Sequence, residues 1–200
     1  MKTFSNRYTF IYITVMVSII ALLLTFVSLG LKPFRNHNQQ IEKSQQILKA
    51  AGYGEIPKKQ AVDLLSSVAQ RNDRNGQEAY DIQCTDGSQG LVLHVKGKGL
   101  WGPIWGYIVL NEDFTEIKGV AFSHKSETPG LGDRITEETF QKAFIGKKLY
   151  DKDGNFVSVR VLPMGRSSEI SDENRVDAIS GATLTSKGVD EMLKQLTINN

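Results

Sequence analysis

The pattern of hydrophobic and polar positions separates one long apolar segment near the N-terminus from a mixed remainder. Between Arg7 and Lys32 there is no charged side chain, and most residues from Tyr8 to Leu31 are apolar. A helix of this length, rising about 1.5 Å per residue, can cross a hydrocarbon core of about 30 Å. A cleaved secretory signal has a shorter apolar region and an A-x-A-like cleavage site, and this segment has neither. The pattern therefore predicts an uncleaved transmembrane helix.

Apolar residues at helical spacing predict further helices after this segment. Residues 36–51 are polar apart from a few apolar positions near a helical period, and Gly52 can end the helix, which predicts a stalk helix. Two later sets of apolar residues follow the spacing i, i+3, i+4 and i+7. They are Ala61, Leu64, Leu65 and Val68 after Pro57, and Val189, Met192, Leu193 and Leu196 near the C-terminus.

From Glu78 onward, short runs rich in β-branched and aromatic residues alternate with Gly, Asn and Asp, as is typical of β-strands. The runs are AYDIQC, LVLHV, IWGYIVL, KGVAFSH and FVSVRVL, with a loop predicted at RNDRNGQ and a helix at about 136–144. We therefore predict an α+β fold, with a mostly antiparallel sheet, flanking helices and one N-terminal transmembrane helix. The predicted division is a membrane anchor over 1–35, a stalk and helical segment over 36–76, and a folded domain over 77–200.

The formal net charge of +2 comes from cations that flank the apolar segment, namely Lys2, Arg7, Lys32 and Arg35. The rest of the chain is slightly acidic, so the net charge does not indicate nucleic-acid binding, and we predict no nucleic-acid partner. These cations are nearly balanced on the two sides and leave the orientation of the helix open. Cys84 is the only cysteine, which excludes an intrachain disulfide and a cysteine-ligated metal cluster, and no metal site is predicted.

The segment before the C-terminal helix, VDAISGATLTSKGVDEML, combines small residues with hydroxyl groups. Gly181 and Ala182 allow close approach of another group to the backbone, and Thr185 or Ser186 can cap the helix. Thr183 then lies just before a helix N-terminus, where free N–H groups and the helix dipole favour a phosphate. The alternative interpretation is an ordinary cap and a tight turn.

Two other glycine-rich segments fall outside the predicted helices and strands. In GKGLWGPIWGY, Trp101 can form a wall for a planar ring, or the two tryptophans can simply pack over a bend. SHKSETPGLGD contains a turn at Pro129-Gly130. His124 in this segment has no accompanying nucleophile and acid in the sequence, so we predict a surface histidine or a hydrogen-bonded core histidine, and no catalytic residue.

The attachment segment resembles the acceptor signature of flavin transferases, D-x-x-[ST]-G-A-T, at Asp177, Ser180, Gly181, Ala182 and Thr183. In that signature the transferase moves FMN from FAD onto the last threonine through a phosphoester bond. The resemblance implies that FMN is covalently attached to Thr183 through its phosphate. It also implies that Ser180, Gly181 and Ala182 shape the attachment turn.

The three segments together, in order, resemble the family of the C subunit of the Na+-translocating NADH:quinone oxidoreductase, which pairs GKGLW with H-x-x-ETPGLG and SGAT. The resemblance implies that residues 77–200 form an FMN-binding domain. It places Trp101 and Leu131 near the isoalloxazine ring, with Glu127 and Thr128 contacting the ring through polar groups or holding the loop. The chain would be a subunit of an oxidoreductase, carrying electrons within the complex.

The same resemblance implies partners and a location. The partners are the other membrane subunits of the respiratory complex and a flavin transferase that uses FAD. NADH would bind another subunit, because no G-x-G-x-x-G follows a strand in this chain, and sodium transfer needs more than one membrane helix. The location is the bacterial inner membrane, crossed once, with the soluble domain in the periplasm.

Other functions remain open from the residues alone. The G subunit of the Rnf-type electron transport complex shares the ETPGLG-type and SGAT segments, whereas GKGLWGPIWGY favours the sodium pump. A non-redox anchored binding domain could use Trp101, Trp105 and Tyr107 as a platform for a sugar or a lipid headgroup. An anchored hydrolase lacks an evident base and oxyanion arrangement.

Overall fold

The computed structural model describes residues 6–74, 77–165 and 170–196. Its main helices are α1 (Asn6–Ala50), α2 (Lys58–Val68), α3 (Glu138–Lys142) and α4 (Thr183–Lys194). Its strands are β1 (Ala69–Arg74), β2 (Gln77–Gln83), β3 (Gln89–Lys98), β4 (Pro103–Leu110), β5 (Ile117–His124), β6 (Arg160–Leu162) and β7 (Arg175–Asp177). Two short 3₁₀ helices span Gly132–Thr136 and Asp172–Asn174. The chain forms two compact units, Met1–Ile41 and Glu42–Asn200.

The first unit contains the apolar part of α1. An 18-residue window of this helix has a mean hydropathy of 2.7, and its residues are not buried. Its length and composition therefore fit a single-pass membrane anchor. The helix continues without interruption to Ala50, so the predicted stalk helix is the end of the same helix.

The second unit is built on a five-stranded sheet in the order β1-β2-β3-β4-β5. Each strand pairs antiparallel with the next, which confirms the predicted α+β class. Along β3, Leu91 and Leu93 pack in one hydrophobic cluster with α3 and α4, whereas Val92 packs in a second cluster with the end of α1. Because both faces of the sheet are covered, β3 has buried apolar side chains on both faces. The predicted domain division at residue 77 stays a prediction.

Two elements differ from the sequence-based expectations. The run FVSVRVL contributes only β6, which pairs in parallel with β7 in a separate two-stranded sheet. The segment expected as a loop before Glu78 contains β1 instead. This edge strand is largely exposed and polar, so no alternation of apolar residues marks it, and its pairing with β2 comes from backbone hydrogen bonds. Asn75 and Gly76, part of the expected loop, lie outside the described residues.

A half-buried polar cluster lies between the end of α1 and the sheet, on the face opposite α4. Glu78 Oε1 accepts hydrogen bonds from Lys43 Nζ at 2.5 Å and from Tyr80 Oη at 2.9 Å. His94 stacks on Tyr107 with ring centroids 4.7 Å apart, and its Nδ1 lies 3.7 Å from Glu78 Oε2. Burial, helped by the charge on Lys96 and opposed by that on Glu78, lowers the pKa of His94 to about 4. The histidine is therefore neutral in the folded protein at pH 7.

His94 is expected to make stability depend on pH. In the unfolded chain His94 takes up a proton near pH 6.5, but in the folded chain it takes up a proton only near pH 4. Stability therefore falls as the pH falls through this window, by about 2 kcal/mol between pH 7.5 and 5. In His94→Phe, which keeps a ring to stack on Tyr107, the free energy of unfolding should change less over this range. Urea unfolding at several pH values measures this free energy. If it depended on pH in the same way in both proteins, the assignment of the pH dependence to His94 would be wrong.

Candidate functional site

Thr183 is the first residue of α4, and its side chain is exposed. The first helical bond of α4 is donated by Ser186 N–H to Ala182 O, over 2.9 Å, and Ala182 provides no side-chain cap. The N–H groups of the first turn therefore have no acceptor within the helix. Gly181 precedes them with φ of +81°, a conformation that favours glycine. The Thr183 hydroxyl is thus presented to solvent beside the positive end of a helix dipole.

The two hydroxyl groups expected to cap α4 have other partners, because the helix begins earlier than predicted. Thr185 is 2% exposed, and its Oγ1 donates to Glu127 Oε2 at 2.5 Å. Ser186 Oγ accepts from the N–H of Ile179 at 3.0 Å. The structure therefore separates two nearby threonines: Thr183 is accessible to another molecule, and Thr185 is buried and hydrogen-bonded.

Glu127 is a buried carboxylate that connects the three glycine-rich segments. Its Oε2 accepts from Thr185, and its Oε1 accepts from Trp101 N–H at 2.9 Å. Its own N–H donates to Nδ1 of His124 at 3.1 Å. Burial raises the pKa of Glu127, but the bonds from Thr185 and from backbone N–H groups including that of Trp101 outweigh burial and hold the pKa below its ordinary value. Glu127 is therefore ionised at neutral pH.

The glycines of these segments make room for the Glu127 carboxylate. A Cβ atom at Gly99 would lie 2.6 Å from Glu127 Oε1. One at Gly132 would lie 2.5 Å from Glu127 Oε2 and 2.6 Å from Thr185 Oγ1. These distances are far below an ordinary van der Waals contact, so side chains at either position would displace the carboxylate. The packing of the Glu127 carboxylate therefore explains why Gly99 of GKGLW and Gly132 of ETPGLG have no side chain.

Close packing of α4 on β3 fixes the position of Thr183 relative to the sheet. A Cβ at Gly188 would lie 2.2 Å from the carbonyl oxygen of Lys98, and one at Gly97 would lie 2.9 Å from Met192 Cβ. Asp190, further along α4, binds Arg160 Nε at 2.8 Å and the N–H of Val161 at 2.9 Å. The turn before Thr183 therefore leads into a helix whose position is fixed by contacts with β3 and with β6.

Large apolar side chains stay exposed on the segments that meet at Glu127. They are Leu100, Trp101, Leu131 and Leu184, with Trp101 67% exposed. Leu131 lies over the turn before Thr183, since its Cδ2 would be 3.0 Å from a Cβ at Gly181. In the same loop, Oδ1 of Asp133 is the buried side-chain oxygen without a hydrogen-bond partner among the described residues. The exposed apolar side chains suit a bound planar group.

The other residues proposed for the site differ in their exposure. Ser180 and Thr128 are exposed, and Ala182 is buried at the N-cap of α4. Asp177 ends β7, is exposed, and lies 3.6 Å from Arg175. The described contacts join Trp101, Glu127, Leu131, Gly181 and the start of α4, and they include none between Asp177 and this group.

The structure does not support the alternative aromatic platform. Tyr107 is buried in the cluster that contains the end of α1, and Trp105, two residues earlier on β4, shares its side of the sheet. Trp101 lies in the loop before β4 and is held through its backbone by Glu127. The three rings therefore do not form one exposed surface.

The sequence had no signal for the role of Thr185, because its partner Glu127 is 58 residues away.

Comparison with known sequences connects this site to a family. Residues 99–197 match the model of the family described as "FMN-binding domain". Two proteins of Neisseria meningitidis, each named as the C subunit of Na(+)-translocating NADH-quinone reductase, are 39% identical over 113 residues, which are 56% of this chain and 42% of each relative. This chain therefore spans less than half of the length of those relatives. A protein of Haemophilus ducreyi with the same name is 28% identical over 91% of this chain and 86% of its own length.

Solved structures give the same family. The crystal structure of the C subunit of Na(+)-translocating NADH-quinone reductase from Parabacteroides distasonis matches with a TM-score of 0.72 and 34% identity, over 82% of this chain and 91% of that one. The crystal structure of NqrC from Shewanella oneidensis shares the fold, with a TM-score of 0.63 and 24% identity over 78% of this chain and 91% of that one. The chain belongs to the family formed by the C subunits of the Na(+)-translocating NADH-quinone reductase.

Proposed function

We propose that this chain carries FMN covalently on Thr183, through the flavin phosphate, and transfers electrons within a membrane-bound Na+-translocating NADH:quinone oxidoreductase. The observation that carries the proposal is the exposed Thr183 hydroxyl at the N-terminus of α4, within the region that matches the FMN-binding domain family. The relatives' names favour this complex over the Rnf-type alternative.

The residues around Thr183 fit a phosphodiester. A phosphate esterified to a threonine and to the flavin side chain keeps one negative charge at neutral pH. The unpaired N–H groups of the first turn of α4 can donate to it, and the helix dipole favours its charge. Gly181 has no side chain, so it leaves the backbone of the turn before α4 accessible. A Cβ atom added at Gly181 would come close to the side chain of Leu131 and not to backbone atoms.

The exposed apolar residues fit the ring. Trp101 and Leu131 are large, exposed and on segments joined through Glu127, so a planar aromatic group can cover them and remove apolar surface from water. Bound FMN supplies reversible electron transfer, and the chain's own residues hold and orient it. A covalent link also keeps the cofactor in place whatever its intrinsic affinity.

Attachment needs an external enzyme that uses FAD. The Thr183 oxygen forms a bond to the phosphorus of the FMN half, the bond from that phosphorus to the AMP half breaks, and AMP leaves. The hydroxyl proton goes to a base of the transferase, because no general base contacts Thr183 among the hydrogen bonds of the described residues. The partners are thus this transferase and the other membrane subunits, with NADH and Na+ handled by those subunits. The domain lies on the periplasmic side of the inner membrane, anchored by α1.

Co-expression of the full chain with a FAD-dependent flavin transferase tests the proposal. We expect the intact mass, measured under denaturing conditions, to rise by one FMN less one water, with a yellow protein band that survives denaturation. A matched sample expressed without the transferase should lack the added mass. A colourless protein of unmodified mass from the co-expression would contradict the proposal and favour a non-redox binding domain.

A further inference from the structure

The Glu127 carboxylate is the one group on which the three segments of the proposed flavin site converge within the described residues. It accepts from Thr185 Oγ1 at the start of α4 and from Trp101 N–H in the loop before β4, and it lies itself in the ETPGLG segment. Gly99 and Gly132 pack directly on its two oxygens. Its position is therefore fixed by contacts on every side, and it fixes the loop that carries Trp101.

Within the part of the chain that the structure describes, no cation pairs with the negative charge of Glu127. Its partners are a hydroxyl group and backbone N–H groups, all of them neutral donors. None of the ion pairs found in residues 6–74, 77–165 and 170–196 includes it. The residue is 5% exposed, so water screens the charge weakly. A charge in this environment acts on neighbouring groups more strongly than one on the surface.

The charge lies behind the surface that we propose for the ring. The backbone N–H of Trp101 contacts the carboxylate, while the side chain of Trp101 points to solvent with 67% of its surface exposed. Leu131, four residues after Glu127, covers the turn before Thr183. A ring that covers Trp101 would therefore lie over the loop whose backbone contacts the Glu127 carboxylate. Electrons that arrive on such a ring add negative charge close to a fixed negative charge.

We propose that Glu127 is a positioning residue that also lowers the reduction potential of the flavin, by holding the Trp101 loop against α4 and by placing an uncompensated negative charge behind the ring. We expect Glu127 not to contact the ring, because the residue is 5% exposed and its oxygens accept hydrogen bonds from within the protein. The inference rests on the proposed attachment of FMN to Thr183.

The test compares the potential of the flavin in the full, flavin-loaded chain with that in Glu127→Gln. The amide keeps the size of the side chain and an oxygen that can accept from Trp101 N–H, but it removes the charge. We expect Glu127→Gln to keep the covalent flavin, judged by intact mass, and to show a midpoint potential shifted to more positive values in a spectroscopic redox titration. A retained flavin with an unchanged potential would overturn the inference and leave the proposed function intact. Absence of flavin from the wild-type chain would overturn the proposed function itself.

Thr185→Val gives a second test that does not depend on the folding of Glu127→Gln. It keeps the charge but removes the side-chain donor that most lowers the pKa of Glu127. The carboxyl group should then take up a proton at a higher pH than in the wild type. We expect the potential of this variant to match that of the wild type at pH 8 and, as the pH is lowered into the acid range, to deviate to more positive values at a higher pH than in the wild type. Potentials that stay parallel over this range would contradict a role for the Glu127 charge.

Discussion

Thr183→Ala is expected to abolish covalent flavin attachment completely while leaving the fold intact. The reason is chemical, since alanine has no oxygen with which to form the phosphoester bond. The side chain of Thr183 is exposed at the first position of α4 and caps nothing, so its loss should change the free energy of unfolding by less than about 0.5 kcal/mol. Intact mass and in-gel flavin fluorescence after co-expression with the transferase measure the result.

Thr185→Val is the matched control for this prediction. Both variants remove a threonine hydroxyl from the first turn of α4, but that of Thr185 is buried and bonded to Glu127. The control should keep the flavin and lose about 1–3 kcal/mol of stability, because a buried carboxylate loses a hydrogen bond. If Thr183→Ala kept the flavin mass and Thr185→Val lost it, the attachment site would be Thr185 and the assignment to Thr183 would be wrong.

Gly188→Ala is expected to destabilise the domain, although the same change stabilises most helices. Alanine is favoured over glycine inside a helix by about 1 kcal/mol. Here the added Cβ would lie 2.2 Å from the Lys98 carbonyl oxygen and 3.3 Å from Ile104 Cδ1. A backbone oxygen in a paired strand cannot move aside, so α4 must shift away from β3. Overpacking of this kind costs about 1–3 kcal/mol or more, and we expect a net loss of about 2 kcal/mol.

Chemical unfolding of the full chain, followed by far-UV circular dichroism, measures the effect of Gly188→Ala. Lys187→Ala is the control, because the neighbouring Lys187 is exposed and forms only a surface ion pair with Glu191 at 3.7 Å. It should change stability by less than about 0.5 kcal/mol. Gly188→Ala should also reduce the yield of flavin attachment, since the shift of α4 moves Thr183. Equal stability of the two variants would show that the contact between α4 and β3 is looser than described.

Local chemistry and periodicity were enough for much of this protein. The absence of charge from Tyr8 to Leu31 predicted the apolar helix, and β-branched runs predicted most strands of the main sheet. Both signals come from residues near one another in the chain, so sequence alone contains them. The small residues before Thr183 are also a local signal, which predicted close approach of another group to the backbone, with a tight turn as the alternative interpretation.

Contacts between residues far apart in the sequence determined the features that the sequence did not predict. The start of α4 was predicted too late, because Thr185 and Ser186 have the residue types of helix caps but bind Glu127 and Ile179 instead. Glu127 itself was expected either to contact the ring or to hold the loop, and in the structure its two oxygens accept from Trp101 N–H and from Thr185 Oγ1, 58 residues away.

The sequence by itself determined the long apolar helix, the class of the fold, the segments of the proposed site and the hydroxyl proposed to carry the flavin, because each depends on residue types and spacings within one short stretch. Only the tertiary structure decided that β6 pairs with β7 outside the main sheet, that Tyr107 is buried on the far face, and that one buried carboxylate joins the three segments. Those outcomes depend on the packing of residues far apart in the chain, and a buried charge gains its donors only when the whole fold has formed.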